Sequence, residues 1–136
     1  MKLRLSLSLP RDSASVPLAR RTVATMLGTV GVSDECRTDI LLALAEACAN
    51  AVAHARMADS FEVRIAVDVD SCSIEVVDTG AGFDPSAVPT ETPVLGESGR
   101  GLQIIRAVAD HVDVRPNQPS GTLLRFSKRL DRTLVS

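Results

Sequence analysis

The sequence contains no tryptophan and no tyrosine, and only three phenylalanines among 136 residues. An interior built from it is aliphatic, made of Leu, Val, Ile and Ala. The chain also lacks the aromatic platforms on which single-stranded nucleic acid stacks. An excess of one charge is missing too. The formal net charge is −2, so no overall basic field steers the protein to nucleic acid or to a membrane surface, and neither is expected as a direct partner. Cys36, Cys48 and Cys72 are odd in number and widely spaced, with no C-x-x-C and no Cys/His ligand pattern. Two of the three fall in apolar segments and read as small buried hydrophobes, in a reducing, cytoplasmic setting. There is no long hydrophobic run. Met1-Lys2-Leu3-Arg4-Leu5-Ser6 alternates instead of staying apolar, unlike a secretion signal. The most apolar stretch, 40–55, is interrupted by Glu46, Asn50 and His54 and is too short to span a bilayer.

What is present suits one domain over residues 1–136, with a normal apolar content of 45%. A chain of this length buries roughly two-thirds of its unfolded surface, so it needs no disulfide or metal to fold. Leu3, Leu5, Leu7 and Leu9 alternate with polar residues, which predicts a half-buried strand ended by Pro10. A helix is expected from Ser15-Val16-Pro17, with Ser15 as its cap, Gly31 after its end, and Leu18, Val23, Met26, Leu27 and Val30 on one face. A second helix, capped by Ser33 or Asp34, runs to about Arg56. Two strands, 61–68 and 71–77, follow as a hairpin. Residues 78–98 hold six glycines and prolines and read as a turn and a long loop. A loop of about twenty residues in a small domain is usually functional or disordered; this one, at about 83–98, is expected to be a lid. Arg100 or Gly101 is expected to open a third helix, and strands at 111–115 and 122–130 complete the chain.

Three clusters carry chemistry. Glu46, Asn50 and His54 recur every four residues on the second helix, forming a polar stripe on an Ala/Leu/Val/Cys background. An amide oxygen can ligate Mg²⁺, and a carboxylate can orient water or accept a proton; taken alone, the stripe reads more readily as a solvent face. Val76-Val77-Asp78-Thr79-Gly80-Ala81-Gly82 delivers a carboxylate at a strand end, able to accept a hydrogen bond from an exocyclic amine such as that of adenine. The two glycines permit close backbone approach, and the same residues also make an ordinary turn. Gly96-Glu97-Ser98-Gly99-Arg100-Gly101-Leu102 precedes a helix, where free N–H groups attract anions. It lacks the Gly-Lys-Ser/Thr of a Walker loop and reads, in isolation, equally as a linker.

In this order, E-x-x-x-N on a helix, D-x-G-x-G on a strand, a lid, G-x-G before a helix and Gly121-Thr122 on a late strand, the sequence resembles the GHKL superfamily over nearly its whole length. The resemblance implies a Bergerat-type α+β fold: a two-layer α/β sandwich whose mixed, mostly antiparallel sheet is covered on one face by helices. It also implies a Mg-ATP site. Glu46 would be the general base and Asn50 the Mg²⁺ ligand. Asp78 would recognise adenine, with Gly80 and Gly82 shaping the pocket. Gly99, Arg100, Gly101 and Leu102 would contact phosphates, mainly through backbone amides, and Thr122 would support the adenine end. His54 stays outside the site.

Within the superfamily, the chain is too short for a topoisomerase-like transducer domain and shows no histidine-bearing dimerisation helix. It is similar to the RsbW-type anti-sigma factors. That implies a serine/threonine-protein kinase that phosphorylates a serine on an anti-anti-sigma (STAS-domain) protein and sequesters a sigma factor. It also implies a homodimer, with Arg20 and Arg21 near the partner surface. The competing expectation is a module of the same fold that binds ATP and holds its partner without phosphorylating it.

Overall fold

The computed structural model describes residues 2–54, 58–78, 93–116 and 121–131, the side chains of 54 and 93–99 excepted. The elements run β1 (Leu3–Pro10), α1 (Ser15–Thr29), α2 (Asp34–His54), β2 (Ser60–Val67), β3 (Ser71–Asp78), α3 (Pro93–Val108), β4 (His111–Pro116) and β5 (Thr122–Arg129). The strands form one sheet in the order β1-β2-β3-β5-β4. All four pairings are antiparallel, in keeping with the mostly antiparallel sheet expected.

Strand alternation separates the two faces of the sheet. Phe61, Val63, Ile65 and Val67 of β2, Cys72, Ile74 and Val76 of β3, and Leu124 and Phe126 of β5 are buried on the side that carries the helices. The other side is laced with charge. Arg64, Glu75, Arg125 and Asp113 stand directly opposite one another in a single row across four strands, and cross-strand pairs of opposite sign support such a face.

The helix under that core is α2. Its buried residues Ile40, Ala43, Leu44, Ala47, Cys48 and Ala51 follow the three-and-four spacing of one helical face. Ser33 caps it, its Oγ accepting from the Cys36 N–H at 3.3 Å, with Asp34 and Glu35 in the first turn favoured by the helix dipole. α1 ends where Gly31 was expected to end it. Gly31 has φ 83°, its N–H donates to the Gly28 carbonyl, and the Val32 N–H reaches back to the Leu27 carbonyl. This is a Schellman closure, sealed by contact between two buried residues, Leu27 and Val32.

Two expectations for α1 are corrected. Ser15 does not cap the helix. It is the first helical residue, it is buried, and its hydroxyl donates to the Pro10 carbonyl at 2.7 Å, so it serves the end of the strand instead of a helix N–H. Leu18 is 49% exposed. The buried line is Ser15, Ala19, Val23 and Leu27, an i, i+4 stripe on which Leu18 falls one position off.

Candidate nucleotide site

Glu46 and Asn50 lie one turn apart on α2 and flank its buried stripe, both half-buried. That placement separates them from a solvent-facing row such as Leu42 and Ala49, which are exposed. His54, the third member of the sequence stripe, has its side chain outside the described residues.

The glycine cluster comes to this helix directly. A Cβ placed on Gly101 would stand 3.1 Å from Glu46 Oε1 and 3.8 Å from Glu46 Cβ, closer to the carboxylate than side chains ordinarily pack. Glycine at 101 therefore lets the α3 backbone approach the Glu46 carboxylate with nothing between them. The first and third sequence clusters meet here. Leu102 is partly buried against the core, together with buried Ile105, so its side chain serves packing. Arg100 is exposed.

Asp78 ends β3 on the helix-facing side of the sheet. It is only 6% exposed, one of two buried polar or charged residues among those described. In the ladder it stands opposite Phe61 on one side and Thr122 on the other. Thr122 is thus cross-strand to Asp78. A buried carboxylate needs a hydrogen-bonding or charged neighbour to remain there.

The start of α3 differs from the expectation. The helix begins at Pro93 and not at Arg100 or Gly101, so Gly99, Arg100, Gly101 and Leu102 lie within it. Proline suits a first helical position because it has no N–H to satisfy and its φ is already helical. The segment 93–101 nevertheless contains Gly96, Gly99 and Gly101, each about 1 kcal/mol less favourable than alanine inside a helix. It is the intrinsically weakest part of α3. Of the expected lid at 83–98, residues 83–92 lie outside the described residues and 93–98 belong to α3. Gly80 and Gly82 also lie outside the described residues.

The donor set fits a nucleotide carrying a divalent cation. A half-buried amide lies one helical turn from a half-buried carboxylate, and that carboxylate faces side-chain-free backbone at Gly101. Among the described residues there is no group of three or more His, Cys, Asp or Glu that would hold a metal by itself; Mg²⁺ commonly takes one or two protein oxygens and fills its shell with phosphate and water. A separate shallow recess, lined by Arg4, Ser6, Arg64, Ser73, Glu75 and Arg125, opens on the charged side of the sheet and contains none of the candidate residues.

Some stabilising residues had no sequence signal. Lys128 Nζ donates to the Val108 carbonyl at 2.8 Å and pairs with Asp39 at 3.5 Å. Asp110 accepts from the Arg129 N–H at 2.6 Å. These contacts fasten the end of α3, and α2, to β5. Arg11 donates to two main-chain carbonyls. Contacts aimed at backbone or across distant elements leave no periodicity to read.

The fold is that of an ATP-binding domain of a particular type. Residues 9–128 match the histidine kinase-like ATPase domain, and the chain belongs to that family. Within it, the chain is similar to serine-protein kinases named RsbW. It is 30% identical to that of Bacillus pumilus over 96% of this chain and 88% of the relative, and 32% identical to that of Oceanobacillus iheyensis over 91% and 85%. Two crystal structures share the fold. The RsbU and RsbW domains of a Mycobacterium tuberculosis protein match with TM-score 0.74 at 19% identity, over 98% of this chain and 35% of that one. The SiaB–SiaC complex of Pseudomonas aeruginosa matches with TM-score 0.62 at 10% identity, over 92% and 89%.

Proposed function

We propose that the chain is an ATP-dependent serine-protein kinase of the RsbW type. It phosphorylates a serine on a STAS-domain anti-anti-sigma protein, and in its alternative complex it sequesters a sigma factor. The single observation that carries the catalytic reading is the junction of Glu46 with Gly101, where a Cβ would stand 3.1 Å from the carboxylate. It sets a potential base against the one glycine-rich stretch suited to phosphate. The RsbW relatives supply the substrate class.

In this reading Asn50 holds Mg²⁺, which supplies charge neutralisation at the phosphates when bound. Asp78, with Thr122 across the ladder, accepts from the adenine amino group, and Gly80 and Gly82 shape that end of the pocket. Gly99, Arg100, Gly101 and Leu102 serve the phosphates. Opening the weak first half of α3 frees their amides, since main-chain N–H groups engaged within a helix cannot also donate to a ligand. Glu46 takes the proton of the incoming serine hydroxyl. The serine oxygen bonds to the γ-phosphorus while the bond to the departing ADP breaks. Positioning and electrostatics carry most of such a reaction, and a base of this kind contributes about 10²–10⁴-fold. The protein acts as a homodimer, with Arg20 and Arg21, both exposed on α1, facing its protein partners.

The experiment is nucleotide binding and phosphotransfer in parallel. Glu46→Ala keeps ATP affinity near wild type and loses transfer to the STAS protein. Transfer at the wild-type rate by Glu46→Ala removes the carboxylate from the mechanism. A stable partner complex with no transfer by the wild-type protein favours the purely sequestering module.

A further inference from the structure

Arg11 follows β1 directly and reaches two distant points. Its Nη1 donates to the Val52 carbonyl at 3.0 Å and its Nε to the Ala58 carbonyl at 3.2 Å. Its own N–H donates to the Asp59 carbonyl at 2.9 Å. The turn that carries it is itself fixed: the Asp12 N–H and the Ser15 hydroxyl both donate to the Pro10 carbonyl, and Asp12 Oδ1 accepts from the Ala14 N–H at 3.0 Å. Among the described residues Arg11 makes no ion pair. Both of its side-chain hydrogen bonds among the described residues go to main chain.

Val52 lies in the last turn of α2, where four carbonyls have no partner within the helix. A cation there also meets the negative end of the helix dipole. Asn50 is two residues earlier on the same turn. The planar, forked guanidinium can bridge two carbonyls at once, which a lysine ammonium on a flexible stem does not reproduce. We infer that Arg11 is a positioning residue for the nucleotide site: by clamping the end of α2 to the start of β2, it holds Asn50 where a phosphate-bound divalent cation needs its amide oxygen. The inference rests on the reading of Asn50 as the Mg²⁺ ligand. It adds a residue that touches neither ATP nor metal.

The test is ATP affinity by calorimetry, in Mg²⁺ and in EDTA, for the wild type, Arg11→Ala, Arg11→Lys, Asn50→Ala and Arg4→Ala, with thermal melts of each. Arg4 is an exposed arginine on the far side of the sheet and controls for lost charge. Arg11→Ala loses about tenfold of the affinity gained from Mg²⁺, as supporting residues behind metal ligands typically do. Its affinity in EDTA stays at the wild-type level, because Asp78 is untouched. Arg11→Lys recovers part of the Mg²⁺ gain, and Arg4→Ala keeps all of it. A full Mg²⁺ gain in Arg11→Ala, or an equal loss with and without Mg²⁺, overturns the inference. If Arg11→Ala does not fold, Arg11→Lys decides: a partial loss of the Mg²⁺ gain supports the role, and wild-type behaviour overturns it. Asn50→Ala separates the two layers. If it loses the Mg²⁺ gain while Arg11→Ala does not, only the Arg11 role fails. If it keeps the gain, the assignment of Asn50 fails, and the Arg11 role with it.

Discussion

Gly101 shows how much a single missing side chain can decide. Replacing it with alanine favours the helix by about 1 kcal/mol on propensity alone, yet it drives a methyl to within 3.1 Å of Glu46 Oε1. The carboxylate sits at the end of a flexible side chain and can swing aside, so the expected outcome is a protein no less stable by thermal melt whose phosphotransfer falls by about tenfold or more, as misplaced catalytic groups do. Unchanged transfer in Gly101→Ala would mean that the Glu46 position is not critical. The buried thiols give a second residue-scale expectation. Burial pushes Cys48 and Cys72 from the usual 9.0 up to about 12. Both are therefore protonated in the folded protein when already ionised in the unfolded chain. Their contribution to stability is complete below pH 9 and is lost as pH rises from 9 towards 12. Denaturant titrations from pH 8 to 11 are expected to show a steeper fall for the wild type than for Cys48→Ala; equal slopes contradict this.

At the scale of elements, Gly31 gives a stability test. Its φ of 83° lies in the left-handed region, where an L side chain costs about 1–2 kcal/mol. Gly31→Ala is expected to lower unfolding free energy by that amount with no change in ATP affinity. Much of this level was legible because periodicity and caps are local. The α1 closure at Gly31, the Ser33 cap, the 68–70 connection of β2 to β3 and the start of β5 at Thr122 all follow from short-range rules. Glu46 and Asn50 shared a face because four residues make about one helical turn, and the approach of Gly101 to Glu46 adds what spacing could not supply. The start of α3 was not legible. Glycines at 96, 99 and 101 argue for a loop on propensity, whereas Pro93 provides a helical first position. Leu18 misled for a related reason: hydrophobicity marks candidates for burial, and packing selected the smaller Ala19 instead.

The whole molecule is a sheet with two unlike faces. One is apolar and closed by three helices; the other carries the alternating row Arg64, Glu75, Arg125 and Asp113. Glu46 and Gly101 meet within the helical layer, and Arg20 and Arg21 are exposed on α1; in the proposed reading, partner binding and phosphate binding use separate surfaces of that layer. The double variant Arg20→Ala/Arg21→Ala is expected to weaken capture of the sigma factor by about tenfold, mainly in salt-dependent association, and to leave ATP affinity unchanged. No helix among the described residues is long and apolar enough to cross a membrane. The most direct test of the central claim is transfer of labelled γ-phosphate from Mg-ATP to a STAS-domain partner, with the acceptor residue mapped by mass. The wild-type protein is expected to label one serine and Glu46→Ala to label none, although both bind ATP. Equal labelling by the two proteins, or an unlabelled partner held in a stable complex by the wild type, would contradict the account.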